Sequence, residues 1–295
     1  MEYIKPAFLE NNIPVCFACD NDFAKYTAVA VQSVVENMSK SFNYDIFVLN
    51  ENFDTETISK FEGLSCDNLS VRCVDVNKYV SDIDSKINDV TNRKKIVYYR
   101  FFVPSIFKNF EKIIYLDSDL VVENDISELF SINIEDNCIG AVNDLFMRIL
   151  LQRSLNWQNY LKLVLKMEIP ENYFQSGVML FNIPKMLENN IEEKLLDRLN
   201  EIGEPMIVDQ DIYNSVCQNE VRFVEPVWNY DRNIELLIDE YDYSNDEINK
   251  IIKIYEKIKE NPKIIHFAGS MKPWQYPTIN FGDRWLYYVE MSLKI

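Results

Sequence analysis

The first 76 residues alternate between two kinds of segment, and this alternation restricts the fold more than any other feature. IPVCFACD (13–20), YDIFVLN (44–50) and LSVRCVDV (69–76) are short apolar runs rich in β-branched and aromatic residues, the composition of buried strands. Between them, TAVAVQSVVEN (27–37) and TETISKFEGL, stopped at Gly63, carry apolar residues at helical spacing. Strand, helix and strand in succession require right-handed crossovers and a mainly parallel sheet covered by helices on both faces. Further along, KIVYYRFFVPSIF (95–107) reads as an aromatic helix, and IIYLDSDLVV (113–122), CIGAVND (138–144), SGVMLFNI (176–183) and KIIHF (263–267) read as strands. DQDIYNSVCQ (209–218) begins with acids, as a helix N-terminus should.

The 295 residues, 47% of them hydrophobic, suffice for a substantial core. No repeat, low-complexity tract or Gly/Ser linker interrupts them. The expectation is therefore one domain over 13–275, preceded by an N-terminal extension (1–12) and followed by a C-terminal segment (276–295) packed on it. The amphipathic stretch 147–167 and the charged, Tyr-rich stretch 235–261 read as helices packed by one face, in preference to acceptor-binding lids. A formal net charge of −17 argues against nucleic acid or anionic lipid as partner, since both call for a basic face. The opening MEYIKPAFLENN lacks the cationic start and continuous apolar run of a signal peptide, and no run reaches transmembrane length, so a cytoplasmic protein without a transmembrane segment is expected. Peripheral membrane contact has no support in the residues. Cys16 and Cys19 form a C-x-x-C with no second pair at zinc spacing, and core filling outweighs metal or redox work for them.

The chemistry is read from IIYLDSDLVV. Two carboxylates, Asp117 and Asp119, end an apolar strand, and in open parallel sheets ligands gather beyond the strands' carboxyl ends. Asp20 ends the first strand in the same way. A bending strand can aim carboxylates at i and i+2 toward one point, where a hard divalent cation finds oxygen ligands; solvated acids on a surface turn are the competing reading. The only histidine, His266, ends another apolar strand and is followed by Gly269, which permits close backbone approach, and by Lys272, a point charge suited to phosphate. Imidazole and two carboxylates suit Mn2+, with Mg2+ as the alternative. The six glycines form neither of the usual phosphate-cradling loops, so an acidic chain that binds a diphosphate must supply positive charge another way.

FACDNDF, YYRFFVPSIF, IIYLDSDLVV, AVNDL, YFQSGVMLFNI, VDQDIYN and HFAGSMKPW, in this order, resemble the family 8 glycosyltransferases, which have the Rossmann-like α/β GT-A fold and retain anomeric configuration. The resemblance implies a UDP-hexose donor, galactose or glucose, and a glycan or glycolipid acceptor. It implies Asp117, Asp119 and His266 as Mn2+ ligands, and Ala18 and Asp20 at the uracil with Asp22 near the ribose. Gly269 and Lys272 would meet the diphosphate. Arg100, Asp144, Ser176 and Asp209 would surround the sugar, with Gln210 near its anomeric carbon. Ser118 and Gln175 are counted with the substrate-binding positions, although Ser118 is only a spacer by its own chemistry. The chain departs from the family pattern at Gln175, where many members carry Asn, and at Phe23, which replaces a common tyrosine.

Glycosyl transfer develops negative charge on the leaving diphosphate and positive charge on the sugar, which gives a cation site and nearby Asp144 and Asp209 an electrostatic purpose. Helix capping is the competing role for Asp209. An amide is a poor nucleophile, so Gln210 is expected to assist acceptor attack on the face the leaving group departs, with a phosphate oxygen taking the acceptor's proton. Two alternatives stand beside this reading: a nucleotide-sugar-binding protein that has lost transfer, and a nucleotidyltransferase, which should carry a Gly-rich basic loop that FACDNDF lacks.

Overall fold

The computed structural model describes residues 3–79, 95–238 and 245–292. The ends of the chain and residues 239–244 of the charged 235–261 stretch lie outside them.

Among the described residues, ten strands form two sheets. The large one contains β1 (Asn12–Ala18), β2 (Asn43–Asn50), β3 (Leu69–Asp75), β4 (Lys112–Leu116), β6 (Ile139–Asn143), β7 (Phe174–Asn182) and β8 (Val221–Phe223), in the order β3-β2-β1-β4-β7-β6-β8. The pairs among β1, β2, β3 and β4 are parallel, as is β6 with β8. β7 alone runs antiparallel to its neighbours β4 and β6, so the sheet is mixed and mostly parallel. Reversal puts the first residues of β7 at the same edge as the last residues of β1, β4 and β6. The small sheet contains β5 (Leu120–Val122), β9 (Tyr230–Asp231) and β10 (Ile264–His266), with β10 between the other two.

Side chains of a strand point alternately to opposite faces, and here both faces are apolar. Cys16, Phe47, Leu49, Ile113, Tyr115, Met179 and Phe181 pack in one core, whereas Val15, Phe17, Ile46, Val48, Ile114, Leu116, Val178 and Leu180 pack in the other. This double burial explains why the strands read as continuous apolar runs. Cys16 and Cys19 are buried as core residues, and none of the six cysteines is in a disulfide.

IIYLDSDLVV divides into β4 and β5, which lie in different sheets, and the bend between them holds Asp117, Ser118 and Asp119. KIVYYRFFVPSIF also departs from the expected α-helix. Residues Lys95–Phe102 form a 3-10 helix, and only Val103–Ile106 is α-helical. Pro104 has no N–H to give to the carbonyl of Arg100, so an α-helix cannot run through this point. The Tyr213 hydroxyl donates to that carbonyl instead, at 3.0 Å.

The 147–167 stretch becomes the helices Leu145–Arg153 and Leu155–Asn159 and a π-helical turn, Tyr160–Val164, which bury Met147, Leu151, Leu161 and Leu165. The helices Asp246–Lys259 and Gly282–Ser292 contribute Ile251, Tyr255, Trp285 and Tyr288 to a third core over the small sheet. Among the described residues no helix is long and apolar enough to cross a membrane.

Candidate active site

The pairing of β10 with β5 brings distant residues together. His266 sits opposite Leu120, and the Phe267 N–H donates to the Asp119 carbonyl at 2.9 Å, so the histidine lies beside the acidic bend. On the other side the Asp117 N–H donates to the Gly177 carbonyl at 2.8 Å, which ties the bend to β7. The hydroxyl of Ser118 donates to the Ala18 carbonyl (3.3 Å) and accepts from Thr27 (2.8 Å). Ser118 therefore anchors the bend to the end of β1 and the first helix.

Each carboxylate divides its oxygens between two tasks. Asp117 Oδ1 accepts from Arg100 Nη2 at 2.7 Å, while Oδ2 lies 3.8 Å from His266 Nε2. Asp119 Oδ2 accepts from the Lys272 ammonium, while Oδ1 lies 3.2 Å from His266 Nε2. One ligand atom from each of Asp117, Asp119 and His266 thus falls within 4.8 Å of the others. This spacing and donor set fit one divalent cation. Without a cation, burial would raise the Asp119 carboxyl, but Lys272 and His266 outweigh it and hold the group well below the ordinary carboxylate range. Burial opposes charge on His266, yet Asp119 and Asp117 raise its pKa overall.

Glycine is required twice here. A Cβ on Gly177 would lie 2.3 Å from His266 Cε1, so the imidazole packs directly on the backbone of β7. Gly269 has φ of 75°, and a Cβ there would meet Asn233 Oδ1 at 2.4 Å. The His266 Nδ1 faces Asn229 Oδ1 at 3.1 Å, and Asn229 Nδ2 donates to Gln175 Oε1 at 2.6 Å.

A second constellation adjoins the first through Arg100, which is 6% exposed and stacked over Tyr115. Its Nη1 donates to the Ser176 carbonyl at 3.1 Å and pairs with Asp209 Oδ2 at 3.1 Å. Asp209 and Gln210 are presented by the helix Val208–Cys217, which Asn214 clamps to Phe174 at the start of β7 through bonds of 2.7 Å to both its N–H and its carbonyl. At the start of this helix the Ile207 N–H donates to Asp211 Oδ2 at 2.7 Å. Asp209 is left to face Arg100 and the Ser176 hydroxyl, at 3.0 Å. Val208 has φ of 45°, a region β-branched residues rarely enter and one that costs on the order of 1–3 kcal/mol.

Gln210 is held at both ends of its amide. Its Oε1 accepts from the Ser176 N–H at 3.0 Å and its Nε2 donates to Asp144 Oδ2 at 2.8 Å. The other Asp144 oxygen accepts from the Met147 N–H at 2.8 Å, so Asp144 both caps the helix Leu145–Arg153 and fixes Gln210. Burial, with the nearby Asp231 charge, raises the Asp144 carboxyl to about 7. Burial raises Asp209 to about 6, against the pull of Arg100.

Ala18, Asp20, Phe23, Arg100, Asp117, Ser118, Asp119 and Lys272 line one cavity of about 260 Å³ at the carboxyl edge of the sheet. Asp20 also accepts from the Phe23 N–H at 3.0 Å, which shapes the turn after β1. Asp22 lines a neighbouring hollow with Phe23, Tyr26 and Trp274. Gln175 turns its carbonyl toward Asn229 and the Gly177 N–H. Gly177, Asn229 and Thr27 escaped the sequence reading. A glycine inside an apolar strand signalled close approach at Gly177, whereas Asn229 precedes a two-residue strand that has no periodicity to read.

The mixed, mostly parallel sheet with an acidic bend at its carboxyl edge matches the GT-A fold of solved glycosyltransferases. The chain belongs to glycosyl transferase family 8, whose model matches residues 14–278. It is 26% identical to general stress protein A of Bacillus subtilis over 92% of this chain and 91% of that protein. It is 25% identical to lipopolysaccharide 1,3-galactosyltransferase of Salmonella typhimurium over 88% of this chain and 72% of that protein. The WbbM bifunctional glycosyltransferase superposes with a TM-score of 0.85 at 26% identity over 97% of this chain, which spans about half (51%) of the WbbM chain. The galactosyltransferase LgtC, solved with donor and acceptor sugar analogs, shares the fold with a TM-score of 0.71 at 19% identity over 95% of this chain and 96% of LgtC.

Proposed function

We propose that this family member is a metal-dependent, retaining hexosyltransferase that moves galactose or glucose from UDP to a hydroxyl of a glycan or glycolipid. The observation that carries the reading is the division of carboxylate oxygens: Arg100 and Lys272 hold one oxygen each of Asp117 and Asp119, and the others turn with His266 Nε2 to a common point. The galactosyltransferase name of the Salmonella relative supports a hexose donor.

Asp117, Asp119 and His266 would hold Mn2+, with Mg2+ as the alternative; bound there, the ion supplies positive charge against the leaving diphosphate. Lys272 adds a second positive charge beside it, and Gly269 lets the backbone approach. Ala18 and Asp20 face the uracil and Asp22 the ribose. Arg100, Asp144, Ser176 and Asp209 surround the hexose, where the two carboxylates favour the positive charge that develops as its bond breaks. Gln210, tied at both ends, positions the reacting sugar and does not attack it. The acceptor hydroxyl approaches on the face the diphosphate leaves and passes its proton to a phosphate oxygen. Residues 13–275 form the catalytic unit with 276–295 packed on it, in a cytoplasmic protein.

The test is UDP release from UDP-galactose and UDP-glucose with and without Mn2+, across a panel of glycan acceptors. Metal-stimulated release supports the reading. Release indifferent to metal, or undiminished in Asp119→Ala, contradicts it, and UDP binding without turnover on any acceptor would mark a transfer-inactive binding protein.

A further inference from the structure

We infer that Gln175 is a positioning residue for His266, acting through Asn229, and is not a contact to the transferred sugar. The inference rests on the proposed metal site and adds to it the group that decides which histidine nitrogen faces the cation.

The relay starts from an atom whose polarity is fixed. A backbone N–H can only donate, and the Gly177 N–H points at the Gln175 side chain at 2.5 Å. The atom it meets is therefore the amide oxygen, Oε1. That oxygen also faces the Asn229 amide at 2.6 Å, so the Asn229 atom there must be the donor, Nδ2. The other end of the same amide is then Oδ1, an acceptor, and it faces His266 Nδ1 at 3.1 Å. Nδ1 must carry a proton, so in the neutral ring the lone pair lies on Nε2. Nε2 is the nitrogen directed at Asp119 Oδ1 and Asp117 Oδ2. Each step is a choice between two orientations of an amide or ring that diffraction seldom distinguishes directly. Here the backbone of β7 makes the first choice and the rest follow.

Gln175, Asn229 and His266 are 8%, 4% and 1% exposed, so water does not compete for these bonds. Outer partners of metal-binding histidines fix the tautomer and ring direction in this way. The longer side chain at position 175 has a use in this arrangement. Its amide folds back over the N–H two residues further along its own strand and still reaches Asn229, with its oxygen committed to both bonds.

The chain has a single histidine, so untagged protein grown with 15N-labelled histidine gives the imidazole spectrum of His266 alone. Spectra are recorded without metal at alkaline pH, where the ring is neutral, and Mn2+ affinity is measured separately by electron paramagnetic resonance of the free ion. Wild type is expected to show the Nδ1–H tautomer. Gln175→Met, nearly isosteric and lacking the acceptor, is expected to give a mixture of tautomers and to weaken Mn2+ binding on the order of 10-fold. Gln175→Glu, whose carboxylate can accept both bonds, is expected to keep the wild-type tautomer. If Gln175→Met does not fold, Asn229→Leu reports on the same relay with the same expected mixture.

A Gln175→Met protein with the wild-type tautomer and Mn2+ affinity, but a raised KM for the donor, would make Gln175 a sugar contact and overturn the inference. A wild-type protein that binds no Mn2+, while its tautomer still follows position 175, would refute the metal site and leave the relay standing.

Discussion

His266 occupies the space that a side chain at position 177 would need: a Cβ on Gly177 would lie 2.3 Å from the imidazole Cε1 and 2.8 Å from Asp117 Oδ2. The imidazole thus rests on bare backbone at the point where β7 is bonded to the acidic bend. Gly177→Ala must displace either the ring or the strand, and overpacking of this kind costs about 1–3 kcal/mol. Chemical denaturation should show that loss, and calorimetric titration should show Mn2+ affinity falling with it. Unchanged affinity would mean that the ring can move without consequence.

At Gly269 two constraints coincide, a φ of 75° and the side chain of Asn233 against the missing Cβ. Gly269→Ala is expected to lower stability on the order of 1–3 kcal/mol and to weaken UDP binding, because the loop bearing Lys272 must shift. UDP affinity measured by calorimetry checks this. Retention of wild-type affinity in a stably folded variant would remove Gly269 from the diphosphate site.

Arg100 holds Asp117 and Asp209 through different nitrogens of one buried guanidinium, which an ammonium cannot reproduce. Arg100→Ala leaves Asp209 buried beside no cation and should destabilise the protein by about 3–5 kcal/mol. Arg100→Lys should recover part of that stability but little of kcat. Thermal melts and steady-state rates on the two variants distinguish the structural effect from the catalytic one.

Asp144 gives a pH dependence whose two readouts run in opposite directions. Burial first, and Asp231 second, raise its folded pKa to about 7, above the value of about 4 for an unfolded aspartate. The folded state therefore binds the proton more tightly, and this contribution to stability is full below the unfolded pKa and lost as pH rises through about 7. In the proposed mechanism activity needs the ionised form, so it should rise over that same range. At saturating Mn2+, kcat against pH should show an acid limb near 7, which Asp144→Asn abolishes at a lower plateau while still capping Met147. An acid limb unmoved in Asp144→Asn would assign it to another group.

How much of this could be read from the residues depended on whether the signal was local. The ends of β1 and β4, and with them Asp20, Asp117 and Asp119, follow from apolar runs that stop at acids. The direction of β7 has no such signal, because a strand apolar on both faces reads alike either way. The division of IIYLDSDLVV between two sheets is also invisible locally, since β5 exists only by pairing with β10, more than a hundred residues later. The 3-10 turn before Pro104 was legible in principle, as proline denies the Arg100 carbonyl its helical donor. Asn229 was not: its role depends on Gln175 and His266, from other strands, meeting at one amide.

Asp117, Asp119 and His266 are proposed to hold a divalent cation against the diphosphate of a UDP-sugar. The most direct measurement is a crystal structure of the protein with UDP and Mn2+, with anomalous scattering recorded at the manganese edge. One anomalous peak is expected, in ligating contact with Asp117, Asp119 and His266 Nε2, and with the diphosphate oxygens beside Lys272. UDP bound in the cavity with no anomalous peak, or a peak that His266 does not reach, would contradict it.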